Sequence, residues 1–212
     1  MKEIRLIEEE AKVLLNLEEL INRPLNQVST VEYSVVGYIV ENHHIVELGL
    51  YGCKLEEFPP NFFSLTNLRK LNLWDNRISS IAPDIENLKS LTYLNFEKNR
   101  LKDLPKELFT LPLQKLFLGD NLLEELPPEI GCFKDTLTYL NLNRNQISTL
   151  PEELFQLSLL KTLGLSFNLI TKIPEEIEQL KSLERLTLEG LKLEELPKSL
   201  KSLPNLKELY NH

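Results

Sequence analysis

The side chains best suited to chemistry are few and poorly placed for it. His43 and His44 are adjacent in an Asn-His-His stretch that reads as a turn, and His212 is terminal. Adjacent turn residues point apart, and no cysteine or carboxylate stands at a metal-ligand spacing beside them. They are therefore expected to be solvated. Cys53 and Cys132 are far apart in the chain. A disulfide needs α-carbons within about 7 Å, and a thiol nucleophile needs a neighbouring base. Neither condition is met, so both are read as reduced and Cys53 as structural. Acid pairs recur at Glu56-Glu57, Glu124-Glu125, Glu152-Glu153, Glu175-Glu176 and Glu194-Glu195. Glycoside hydrolysis would require carboxylates facing each other across a cleft. These pairs instead recur in phase beside a Leu-Pro step, on the solvated outside of a coil. The seven glycines are scattered and build no phosphate loop. The sequence thus offers no catalytic residue, no metal ligand and no cofactor-binding residue, and an enzyme is not expected.

Composition narrows the partners. The net charge of -8, from 24 basic and 32 acidic residues, lacks the basic stripe that nucleic acid requires. About half of that excess lies in the first 43 residues, which also disfavours an anionic membrane surface. A hydrophobic fraction of 42% is enough for a packed core. No uncharged run is long enough to span a bilayer, and Met1-Lys2-Glu3-Ile4-Arg5 has no signal-peptide core. No Asn-x-Ser/Thr site is present. A cytoplasmic location is expected.

Stepping the chain against itself shows what would position any surface. With Leu68, Leu91, Leu113, Leu137, Leu160 and Leu183 in register, a common pattern emerges: L-x-x-L-x-L-x-x-N-x-L-x-x-L-P-x-x-I/L-x-x-L-x-x. An earlier degenerate unit begins at Ile45 and a partial one at Leu206. Leu71/Leu73, Leu94/Phe96, Leu140/Leu142 and Leu163/Leu165 alternate as a half-buried strand must. The following Asn76, Asn99, Asn121, Asn145 and Asn168 stand where the chain leaves the strand, and their amides can satisfy backbone groups there. The Leu/Ile-Pro step at Pro105, Pro127, Pro151, Pro174 and Pro197 holds the chain extended before a short helical turn. One coil cannot bury its apolar side alone, but a stack can.

This pattern resembles the leucine-rich-repeat family, and its L-P-x-x-I/L form is similar to Ras-group (Ras-suppressor-like) scaffolds and plant intracellular relatives. The resemblance covers residues 45–212, about seven units with the last incomplete. It implies an α/β solenoid with a curved parallel sheet on the concave face and short helical turns on the convex face. It also implies small GTPases or their regulators as one partner class. Ala82 replaces the repeat proline, with Pro83 displaced by one, while Cys53 and Leu191 replace the ladder asparagine. The ladder should therefore run only through the middle coils.

Residues 1–44 form a separate block. Ile4, Ile7, Ala11 and Leu14 have helical spacing, and Asn16 with Glu19 resembles a capping box for a second short helix ending before Arg23-Pro24. Val35–Val40, an Asn42-His43 turn and Ile45–Leu50 read as a hairpin. The block is expected to cap the solenoid, with a docking arm for a partner as the alternative.

The outward strand positions, which would line the concave face, carry mixed charge and a cluster of aromatics. Tyr51, Trp74, Tyr93, Phe117 and Tyr139 are expected to form one exposed strip, flanked by Lys70, Asp75, Lys98, Lys115 and Arg144. Aromatics with a charged rim characterise binding surfaces. The expected function is protein–protein interaction, as an adaptor or regulator. Two rivals stand beside it. One is the recognition arm of a larger enzyme or receptor, and the other is a glycan or small-ligand site on the aromatic face. The strand begun at Leu206 leaves an edge through which self-association is expected.

Overall fold

The computed structural model describes residues 6–32 and 34–211. Nine strands form one sheet in strict chain order. The first two, β1 (Val36–Glu41) and β2 (His44–Leu50), are an antiparallel hairpin with a register shift at Ile39/Val40. Asn42 and His43 close it with φ of 49° and 71°, the left-handed pair that matches hairpin twist. Every later pairing is parallel, through β3 (Lys70–Asn72), β4 (Tyr93–Asn95), β5 (Lys115–Phe117), β6 (Tyr139–Asn141), β7 (Thr162–Gly164), β8 (Arg185–Thr187) and β9 (Glu208–Tyr210). The register aligns like repeat positions, so Leu48, Leu71, Leu94, Leu116, Leu140, Leu163 and Leu186 make one row, each fully buried. The result is a solenoid with a single continuous core.

The opposite side is built from 3-10 turns, among them Pro83–Asn87, Lys106–Thr110, Pro128–Phe133 and Glu152–Gln156. Such tight turns suit segments this short. The repeat prolines stand just before them, with φ between -63° and -74° and extended ψ. Ala82 adopts the same conformation (φ -66°, ψ 145°) and Pro83 becomes the first residue of its turn. The displaced proline therefore keeps both geometric roles.

Between coils runs the asparagine ladder. Asn121 is typical: its Nδ2 donates to the carbonyls of Phe96 (2.8 Å) and Leu118 (3.1 Å), and its Oδ1 accepts from Leu101 N–H (3.0 Å). Asn76, Asn99, Asn145 and Asn168 repeat the same set in their coils. Each closes its own turn and binds the preceding coil, satisfying groups that strands of three residues leave unpaired. At Cys53 only a 3.5 Å contact from Sγ to the Tyr51 carbonyl takes that place.

The amino-terminal block differs from the sequence reading. One helix, α1 (Glu8–Ile21), replaces the expected two, and Asn16 and Glu19 lie inside it. It ends at Asn22, whose φ of 51° accompanies N–H bonds from Asn22 and Arg23 back to Glu19 and Glu18. The buried face is Glu10, Val13, Leu14 and Leu17. Of the expected face, Ile7 is exposed, Ala11 is half-buried, and Ile4 lies outside the described residues. Glu10 explains the rotation: its carboxylate accepts Ile45 N–H (2.6 Å) and meets His44 Nδ1 (2.9 Å). His44 is thus a half-buried strand residue rather than a solvated turn residue. His43 does occupy the turn, while His212 lies outside the described residues. Residues 26–28 run beside β1, with Val28 N–H bonded to Tyr38 O (2.9 Å) and Tyr38 N–H to Asn26 O (3.1 Å). That approach requires Gly37, since a Cβ there would lie 2.5 Å from the Asn26 carbonyl and its φ is 155°.

Candidate partner-binding face

The outward side chains of β2 to β9 stand in three rows on the concave face. Lys70, Tyr93, Lys115 and Tyr139 share one row. Asn72, Asn95, Phe117 and Asn141 share the next. Tyr51 and Trp74 follow two residues later, in the third. All five aromatics are half-buried, because they cover one another. Tyr51 stacks on Trp74 with centroids 5.0 Å apart. Phe117 lies between Tyr93 (5.0 Å) and Tyr139 (4.5 Å). The single exposed strip expected from sequence is therefore two half-buried stacks in different rows, because Trp74 and Tyr93 occupy different repeat positions.

Cations lie over these rings. Lys70 Nζ is 4.9 Å from the Tyr93 centroid and Lys98 Nζ is 5.2 Å from that of Trp74, a distance at which the ring face attracts positive charge. Lys115 and Asp75 are exposed. The Arg144 guanidinium, expected beside the five aromatics, lies over a further ring. It stacks at 4.3 Å over Phe167, a ring that is 45% exposed and that the outward-position reading passed over. Both occupy the residue before the ladder asparagine, where φ is 57° in each case. This position turns the side chain to the rim of the face.

The far half of the face is polar. Asn72, Asn95 and Asn141 accept the N–H two residues on, from Trp74 (3.1 Å), Glu97 (2.8 Å) and Asn143 (3.0 Å). These local bonds fix where the third row points. Glu97 extends over Gly119 to accept from Asn141 Nδ2, two coils away. A Cβ at Gly119 would lie 3.1 Å from the Glu97 Oε1. Asn143 Oδ1 likewise accepts Ser166 N–H (2.8 Å) and the Thr187 hydroxyl (3.1 Å), the latter two coils away across Gly164. A Cβ at Gly164 would come within 2.8 Å of both Asn141 Oδ1 and Asn143 Oδ1. Sequence reasoning missed this network, although glycine at two outward positions, 119 and 164, is its trace.

Burial raises the Glu97 carboxyl above its ordinary 4.5, the bond from Asn141 opposes that shift, and the nearby Asp120 adds to it. Below 4.5 the folded and unfolded chains both hold the proton, so the site contributes no penalty. As pH rises through the folded value the ionised group is held in a partly dry site, and the penalty is complete above it. Glu97→Gln retains an acceptor for Asn141 without the charge. Its urea midpoint should exceed wild type at pH 7 and match it at pH 4; equal midpoints at both would refute this balance.

Chemistry has little foothold elsewhere. Burial pushes the Cys53 thiol up, which keeps it protonated and inert. Cys132 is exposed and free. Among the described residues no three His, Cys, Asp or Glu could hold a metal ion together, and no helix is long and apolar enough to cross a membrane.

An open one-sheet solenoid with a patterned concave face defines a repeat scaffold for binding. The chain belongs to the leucine rich repeat family, which matches residues 43–101, 66–123, 111–170 and 135–193. Repeats of this family generally mediate protein–protein interaction and are typically non-enzymatic. Among solved structures it is similar to a leucine-rich-repeat protein of Leptospira interrogans, with 36% identity and a TM-score of 0.66 over 79% of this chain and 48% of that one. It is also similar to the plant peptide hormone receptor RGFR1 in complex with RGF2 (29%, TM-score 0.64, 73% of this chain and 26% of that one). A TDR receptor gives 25% and 0.60 over 73% of this chain and 36% of its own. The chain therefore spans about half or less of each of these proteins. No curated protein matches it.

Proposed function

We propose that this protein is a non-catalytic adaptor or regulator that binds a segment of another protein across its concave face. The observation that carries this reading is the Tyr93–Phe117–Tyr139 stack beside Lys70 and Lys115 on the sheet floor. Stacked rings present a rigid apolar surface, and the neighbouring cations give it direction. Similarity to a peptide hormone receptor in complex with its RGF2 partner supports a segment as the occupant. The L-P-x-x-I/L form of the repeat favours small GTPases or their regulators as one partner class, and a cytoplasmic setting fits that class. In this reading residues 1–44 serve as the cap.

A second reading, the recognition arm of a larger receptor, draws support from the small share of the two receptor structures that this chain spans.

The test is the double substitution Trp74→Ala with Tyr93→Ala. Affinity for a captured and purified partner should fall about 30-fold or more, equivalent to about 2 kcal/mol. The melting temperature should fall only a few degrees, since each ring stack contributes about 1 kcal/mol. Unchanged affinity in the folded double variant would move the site off this face.

A further inference from the structure

A groove follows the seam between α1 and the first coil. Its central cleft, about 510 Å³, is lined by Leu20 of α1 and by Phe58, Pro59 and Pro60 of the coil. Asn16 and Glu19 from the helix and Glu57 from the coil complete the lining. An adjoining cleft of about 400 Å³ shares Leu20 and Glu57 and extends toward Lys54. Leu20 is 46% exposed, at the end of a helix already packed on the core through Val13, Leu14 and Leu17. Neither Glu19 nor Glu57 pairs with a cation among the described residues. The central cleft thus joins an apolar lining to two uncompensated carboxylates and contains no basic residue.

We propose that this cleft is a docking site, separate from the concave face, for a protein segment carrying an apolar side chain directly next to lysine or arginine. The apolar group would cover Leu20, Phe58 and the prolines, and the cation would sit between Glu19 and Glu57. Charge complementarity selects this occupant. The concave aromatics carry cations above their rings and suit a segment of the opposite character. The helix therefore both closes the end of the stack and contributes one wall of a second recognition surface.

The isotope-labelled full chain can be titrated by NMR with two capped tetrapeptides, Ala-Leu-Arg-Ala and Ala-Leu-Glu-Ala. Amides at Leu20, Glu57 and Phe58 should respond to the arginine peptide about threefold or more tightly than to the glutamate peptide, the worth of exposed ion pairs. That preference should vanish in Glu19→Gln with Glu57→Gln, both exposed positions, and persist in Trp74→Ala with Tyr93→Ala. Equal response to both peptides, or a preference that survives the glutamine pair, overturns the proposal. Shifts at the same amides on concentrating the protein alone would identify a second copy as the occupant and overturn it equally.

Discussion

Asn121→Ala should lower the stability of the whole chain by about 3–5 kcal/mol, with an unchanged denaturant slope. The side chain is 6% exposed and makes bonds to four backbone groups drawn from two coils. Alanine orphans the Leu101 N–H in a place water reaches poorly, while the Phe96 and Leu118 carbonyls each lose one bond and keep those from Asn99 Nδ2 (3.0 Å) and Asn145 Nδ2 (2.9 Å). The orphaned N–H costs roughly 1–3 kcal/mol and each bond lost at a carbonyl about 1 kcal/mol. Because the two carbonyls belong to successive coils, the loss weakens stacking as well as a local turn. The Cys53 coil shows that the slot tolerates a smaller side chain at the end of the ladder, where only one neighbour depends on it. A urea midpoint corresponding to less than 1 kcal/mol of loss would mean that water replaces the amide, and the ladder would then be dispensable.

The largest effect belongs to the amino terminus. Deleting residues 1–36 removes Val13, Leu14, Leu17, Leu25 and Val31, each at most 6% exposed. At about 1.5–3 kcal/mol for each buried side chain, the gross loss is roughly 8–15 kcal/mol, as large as the net stability of a typical domain. The deletion also strips the acceptor Glu10 from Ile45 N–H and the covering segment 26–28 from β1. The truncated chain is expected to aggregate or to lose its cooperative melt. A monomer that melts with the wild type would make the segment a docking arm, and the apolar end of the first coil would then need no cover.

These expectations rest on features of unequal visibility in the sequence. The repeat register was fully legible, because a strand of three residues followed by a recurring turn leaves the leucine and asparagine positions little freedom. Pro83 was legible as an anomaly and proved to be no departure in backbone terms. The helix face was misread because periodicity counts apolar residues, and Glu10 turns inward for partners 34 and 35 residues away. Local pattern cannot see such bonds. The aromatic cluster was found, but its division into two stacks depends on which repeat position each ring occupies. Phe167 escaped notice because a bulky residue in left-handed backbone is uncommon. The polar half of the face was invisible for a similar reason: its contacts skip a coil, and only the glycines beneath them leave a mark.

Those coil-skipping contacts alter how the molecule would yield to mechanical load. A solenoid in which each coil touches only its neighbours should peel one coil at a time, each step like the last. Glu97 reaching Asn141 over Gly119, and Thr187 reaching Asn143 over Gly164, rivet coils that are not adjacent. A pull from the carboxyl end would have to shear a rivet before the coil beneath it could leave, so the middle coils would come away in blocks rather than singly.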